Sequence, residues 1–227
     1  LVKVGLECGL LDPAELNPDG SGRPVVRIDT PAGRVTAVAH MKDADPRRVE
    51  RVSFRNVPSF VLQPDLEVDV PGLGRIRCDI AFGGAFYAYV EAASLGLDLV
   101  PEAYARLVDA GRRVKRAVTE QYTIVHPDGD ADLNFLYGTI FVRQGKEPGH
   151  SRNACVFAEG EVDRSPTGTG VSGRVALHVA RGELDLAAEE FRAALAIDPD
   201  FPLPAIGLPM LEALTGSPVA QVARRLA

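Results

Sequence analysis

The chain has 227 residues, enough for one good core or two smaller ones, and its 46% hydrophobic and 25% charged content excludes a disordered polar chain. Lys plus Arg number 25 against 31 Asp plus Glu, and the resulting net charge of -6 argues against nucleic acid or an anionic membrane as partner. No apolar run approaches the ~20 residues that span a bilayer, and the 3 widely spaced cysteines form neither a disulfide framework nor a zinc pattern, which points to a reducing cytoplasm.

In chain order, residues 1–11 read as the end of a helix closed by Gly9, followed by a turn-rich loop over 13–24. Alternating runs at 25–30 and 34–40, joined by Pro31-Ala32-Gly33, predict a hairpin. Further strands are predicted at 49–54, 59–62, 75–82 and 86–90. Residues 101–121 form one long amphipathic helix, with Tyr104, Leu107, Val108, Val114 and Val118 spaced as one face. The basic cluster Arg112-Arg113-Val114-Lys115-Arg116 reads as the solvated side of that helix. Strands return at 122–125, 136–142 and 153–158, and a small-residue helix over 168–181 is stopped by Gly182.

This pattern predicts an α+β half-domain in which a curved, mostly antiparallel sheet surrounds the central helix 168–181. Three parts are expected: a remnant of a first α/β half at 1–48, a second half at 49–183, and a helical tail at 184–227. The tail, with its Ala-rich run 187–197 before Asp198-Pro199, resembles the second helix of a tetratricopeptide unit. A single such unit cannot bury its own face, so a covering amphipathic tail is the preferred reading.

The chemistry concentrates in Asp163-Arg164-Ser165-Pro166-Thr167-Gly168-Thr169-Gly170, between a strand and a helix. A turn of Gly and hydroxyl residues at a helix start presents unpaired backbone N–H groups and the positive end of the helix dipole to one point. That point suits a carboxylate, with Asp163 close by to hold an amine, so the arrangement fits an amino acid.

These residues resemble the Asp-Arg-Ser-Pro-Cys-Gly-Thr-Gly signature of the proline racemase and hydroxyproline epimerase family, with Thr167 where racemases keep their second catalytic cysteine. Other segments are similar to the same family: Gly83-Gly84-Ala85-Phe86-Tyr87, Val57 to Leu62, Asn134 to Ile140, and Asn153 to Phe157. Together they cover roughly 1–184. The resemblance implies a fold like that of proline racemase and diaminopimelate epimerase, with two halves facing a site between them. It also implies catalysis without a cofactor or metal, a hydroxyproline-like substrate, and a homodimer as one form of assembly. Thr167 is then the residue on the catalytic face, and Asp163, Gly168 and Thr169 bind substrate.

Thr at that place resembles the trans-3-hydroxy-L-proline dehydratase branch. Racemisation needs two groups of matched acidity, one on each face of Cα, and thiols with pKa near ~8.5 can serve. A threonine hydroxyl cannot be a base at neutral pH. Elimination needs one base for the α-proton, and a weak donor opposite assists departure of the 3-hydroxyl. The expected activity is therefore that of a dehydratase, a hydro-lyase. Relatives carry their base in a Met-Cys-Gly-His motif, absent here, and residues 1–10 resemble the continuation of the helix it opens, with Cys8 late in it. The chain is accordingly expected to be a fragment or an N-terminally truncated relative lacking the base. A family member without activity and a helical-repeat interaction protein are the alternatives.

Other features have simpler readings. Gly168-x-Gly170-x-x-Gly173 matches a dinucleotide fingerprint, but no second parallel strand with a terminal acid follows, and tight helix packing explains the glycines. His40, His126, His150 and His178 have no metal-ligand spacing. His178 is read as a satisfied core histidine, Asp79 as a strand-end carboxylate, and Gly83-Gly84 as a bulge or bend.

Overall fold

The computed structural model describes residues 1–16, 23–128, 131–145, 151–165 and 167–183, so the expectation of a helical tail at 184–227 lies outside the described residues. The described chain divides after Val57 into two compact units.

In the first unit, α1 (Val2–Glu7) ends at Cys8, and Gly9 follows at φ +70°. A three-stranded antiparallel sheet contains β1 (Val25–Thr30), β2 (Gly33–Lys42) and β3 (Asp45–Arg55) in that order. The predicted hairpin is present, with Thr30 paired to Gly33. Val2 and Leu6 of α1 bury against Ala37, Ala39 and Val49 of the sheet, forming the unit's core. Glu7 Oε1 accepts the Val49 N–H at 2.9 Å and lies 3.4 Å from Arg48 Nε. A boundary after residue 48 would cut β3 within its ladder to β2, where Val52 faces Ala39 and Ser53 faces Val38. The compact unit extends through β3 to Val57.

The second unit carries a six-stranded sheet of β4 (Phe60–Val70), β5 (Gly74–Phe82), β6 (Phe86–Glu91), β7 (Leu136–Gln144), β8 (Ser151–Phe157) and β9 (Glu161–Val162), in sequence order across the sheet. Every pairing is antiparallel except β6 with β7, which are parallel because the helix α2 (Tyr104–Gln121) crosses between them. The α+β class expected from the sequence is the class observed.

Two helices flank this sheet. Thr139 of β7 donates to the Gly111 carbonyl of α2, whereas its neighbour Ile140 packs with the cluster that receives Leu177 of α3 (Gly168–Ala180). Successive strand residues point to opposite faces, so α2 and α3 lie on opposite sides of the sheet. Among the described residues of the central helix, Gly170, Gly173, Arg174, Leu177 and His178 are buried, while Gly168 and Val179 are exposed.

Three local departures have physical causes. The strand expected at 59–62 is longer, and β4 runs on past Pro64 to Val70. It is an edge strand, and a bulge around Gln63 to Leu66, with Asp65 at φ +50°, absorbs the proline. Residues 122–125 are not a strand. Ile124 is buried and Val125 half-exposed, but among the described residues no neighbouring strand pairs with them, and the next N–H, of His126, goes to the Asn134 side chain at 2.7 Å. Tyr104 is 56% exposed, and the buried face of α2 is Leu107, Ala110, Gly111, Val114, Ala117 and Val118. Among the described residues no helix is long and apolar enough to cross a membrane.

Candidate active site

The segment from Asp163 into α3 is held by its own polar atoms. Asp163 N–H donates to the Cys155 carbonyl at 3.0 Å, which hangs the turn on β8. Asp163 Oδ1 accepts the Ser165 N–H at 2.8 Å, and Oδ2 accepts the Thr167 hydroxyl at 2.8 Å. Ser165 Oγ accepts the Thr167 N–H at 3.1 Å. These are the local side-chain-to-backbone bonds that Asp and Ser make in turns.

Thr167 is the N-cap of α3, only 5% exposed, with φ +57° and ψ +74°. The left-handed region is strongly disfavoured for a β-branched residue, so the surrounding bonds hold it there. Its hydroxyl is spent on Asp163, and α3 has no side-chain cap. The first-turn amides, including those of Gly168 and Thr169, have no intrahelical acceptor. Asp163, Thr167, Gly168 and Thr169 are therefore adjacent around one helix start. Gly168 is exposed, and Asp163 and Thr169 are half-buried.

The electrostatics separate the groups. Burial works to raise the Asp163 carboxyl, but hydrogen bonds from the Ser165 N–H, the Thr167 hydroxyl and the Ser165 hydroxyl outweigh it, leaving the pKa below the ordinary carboxylate value. Asp163 is thus an anion at neutral pH, and the Thr167 hydrogen points toward it. Cys155 is 1% exposed, and its thiol lies against the same group. Burial pushes it up to about 12, with the Thr167 hydroxyl pulling down and the Asp163 charge pushing up. This cysteine is a neutral thiol, unsuited to act as a base.

Sequence reasoning placed none of Cys155, Tyr87 and Tyr137 among the site residues. The Tyr87 hydroxyl lies 2.9 Å from Thr169 Oγ1, and the Tyr89 hydroxyl donates to the Gly170 carbonyl at 2.7 Å. Tyr137 meets Tyr87 edge-on at 5.7 Å and stacks on Phe157 at 5.4 Å. Tyr87 was legible inside Gly83-Gly84-Ala85-Phe86-Tyr87; its contact with Thr169 was not.

Gly83 and Gly84 form the bend between β5 and β6 rather than a bulge within a strand. A side chain at Gly83 would meet the Thr169 carbonyl, Gly173 N and Ser172 Cβ, so its absence lets α3 approach the sheet. Gly170 and Gly173 allow equally close approach to Ile140 and to the Tyr89 hydroxyl, the packing reading of these glycines.

The other end of α3 is occupied differently. Asp79 accepts both of its Arg181 bonds at 2.7 Å, and also takes the Asp65 N–H at 2.9 Å. His178 Nδ1 and Glu183 Oε2 are 2.7 Å apart. A cavity of about 490 Å³ lies among these groups, and none of Asp163, Thr167, Gly168 or Thr169 lines it. Asp79 with Arg181 and His178 with Glu183 are paired there, so the two ends of the helix are chemically distinct.

Comparison with known proteins agrees with the motif geometry. The family profile described as proline racemase matches residues 1–202. Over 162 residues the chain is 51% identical to a trans-3-hydroxy-L-proline dehydratase of Colwellia psychrerythraea, covering 71% of this chain and 44% of that protein. Over 190 residues it is 47% identical to the human trans-3-hydroxy-L-proline dehydratase, covering 82% and 51% respectively. Among solved structures, a hydroxyproline epimerase from Agrobacterium vitis with bound trans-4-hydroxy-L-proline matches with TM-score 0.70 and 35% identity, over 80% of this chain and 50% of that one. A probable proline racemase from Agrobacterium radiobacter, with bound carbonate, matches with TM-score 0.71 and 34% identity, over the same shares. The chain spans about half the length of the curated relatives it matches. It belongs to the proline racemase family.

Proposed function

We propose that the start of α3 is the substrate half-site of a trans-3-hydroxy-L-proline dehydratase. Asp163 holds the ring ammonium, the amides of Gly168 and Thr169 hold the carboxylate, and Thr167 faces Cα and the 3-hydroxyl. The observation that carries this reading is the Thr167 hydroxyl bonded to an ionised Asp163 at 2.8 Å, at the position where the family's racemases have a thiol. A substrate ammonium that engages Asp163 competes for that bond and releases the hydroxyl to turn toward the 3-hydroxyl. The elimination takes a proton from Cα, forms the Cα–C3 double bond and expels the 3-hydroxyl as water, after which the enamine tautomerises to a pyrroline carboxylate.

No group of this constellation serves as the base. The Thr167 hydroxyl is too weak an acid for its conjugate to form near neutral pH, and the Cys155 thiol is pushed up to about 12. Thr167 in place of a second thiol supports elimination over two-way inversion at Cα, and the names of the similar dehydratases support the same choice. The 3 free cysteines support a reducing compartment such as the cytoplasm.

The test is titration of the 227-residue chain with pyrrole-2-carboxylate, a planar analogue of the deprotonated ring, together with an assay for dehydration of trans-3-hydroxy-L-proline. The expected result is perturbation of the Gly168 and Thr169 amides with a Kd on the order of 1 mM, and no measurable turnover. Unmoved amides at high ligand concentration would sink the site assignment. Turnover abolished by Cys8→Ser would make Cys8 the base.

A further inference from the structure

Tyr87 and Tyr89 stand two apart on β6 and share the face of the sheet that receives α3. Their hydroxyls have different duties. Tyr89 donates to the Gly170 carbonyl and so holds the helix backbone. Tyr87 meets a side chain, the Thr169 hydroxyl, at 2.9 Å.

The direction of that bond follows from chemistry. Burial pushes the Tyr87 phenol up to about 12, against a smaller downward pull from Thr169, so it keeps its hydrogen throughout the neutral range. As the stronger acid of two hydroxyls, the phenol donates and Thr169 Oγ1 accepts. The single Thr169 hydrogen is then turned away from Tyr87. Threonine and serine inside helices commonly return that hydrogen to the carbonyl four residues back, as Ser172 does to Gly168 at 2.9 Å. Four residues before Thr169 is Ser165, which precedes α3, so Thr169 has no helical carbonyl to which to return it. The Tyr87 ring cannot easily swing off, because Tyr137 and Tyr89 stand edge-on to it at 5.7 and 6.4 Å.

We propose that Tyr87 is a positioning residue: by donating to Thr169 Oγ1 it sets the Thr169 hydroxyl as a hydrogen-bond donor to the ligand's carboxylate. The proposal rests on the reading that a carboxylate binds at Gly168 and Thr169. It makes the hydroxyl of Thr169, besides its amide, part of substrate recognition.

The experiment is an amide-resolved titration with pyrrole-2-carboxylate of the full chain and of its Tyr87→Phe, Tyr89→Phe, Thr169→Val and Tyr87→Phe/Thr169→Val variants. Removing one directed hydrogen bond should raise Kd about five- to tenfold in Tyr87→Phe and in Thr169→Val. Tyr89→Phe should stay within about twofold, and the double variant should bind no worse than Thr169→Val alone, since Tyr87 acts through Thr169. Equal binding by the unaltered chain and Tyr87→Phe, equal losses in Tyr87→Phe and Tyr89→Phe, or additive losses in the double variant would overturn the positioning role and leave the site standing. An unaltered chain whose Gly168 and Thr169 amides do not move would remove the site and the proposal together. Should Tyr87→Phe not fold, Thr169→Ser decides: retained affinity supports the hydroxyl, and a loss equal to that of Thr169→Val overturns it.

Discussion

Thr167 gives its hydroxyl hydrogen to Asp163 across 2.8 Å while its backbone sits at φ +57°, so one residue combines a favourable bond with an unfavourable conformation. The two contributions can be separated. Thr167→Ala loses the bond and keeps the strain. Thr167→Gly loses both, and should be the more stable variant by about 1 kcal/mol. Urea denaturation of the two proteins checks this. Equal midpoints would mean that the turn relaxes and stores no strain.

The same bond makes the turn sensitive to acid. The folded-state pKa of Asp163 is depressed, so its contribution to stability is present above the unfolded value of ~3.9 and is lost as pH falls through the lower folded value. The Ser165 and Thr167 amide signals should hold steady from neutral pH down to ~4 and move below it. In Asp163→Asn the acid transition at these amides should vanish. A transition that begins well above pH ~5 would contradict the depressed pKa.

The cysteines should react unequally. Cys8 is exposed, whereas Cys78 and Cys155 are buried and each pushed up to about 12, first by burial. A thiol reagent at neutral pH should therefore label one site promptly and leave two until the protein is denatured. Prompt labelling of Cys155 would show a thiolate beside Thr167 and reopen the question of the base.

The hairpin of β1 and β2 and the strands β5, β6 and β7 were legible because alternation and Gly punctuation mark them locally. The Asp163 to Thr169 constellation was legible for the same reason: its bonds run between residues two to four apart. What could not be read depends on strand register. Cys155 meets Thr167 and Tyr87 meets Thr169 only because β6, β7 and β8 lie side by side with one face toward α3. The extra length of β4 was hidden by Pro64, which an edge strand tolerates at a bulge and a central strand would not. The 2-residue strand β9 is too short to leave a periodic signal.

Gly83 shows how closely the site depends on the sheet beneath it. It lies in the bend after β5, and a Cβ built there would collide with the Thr169 carbonyl and approach Gly173 N at 2.8 Å and Ser172 Cβ at 2.9 Å. Two of those three atoms are backbone of α3, which cannot rotate aside as a flexible side chain could. Gly83→Ala must therefore lift the helix start away from β6, stretching both the Tyr89 bond to Gly170 and the Tyr87 bond to Thr169. Overpacking of this kind typically costs 1–3 kcal/mol, and here it should also abolish the amide response to pyrrole-2-carboxylate. Gly182→Ala is the control. That residue also has a positive φ, +70°, but among the described residues nothing lies within 4 Å of its added Cβ, so the variant should lose about 1 kcal/mol of stability to backbone strain and keep its ligand response. The comparison is made by thermal denaturation and titration of both variants. A Gly83→Ala protein that binds as well as the Gly182→Ala protein would mean that α3 is not seated on the sheet as closely as these contacts require.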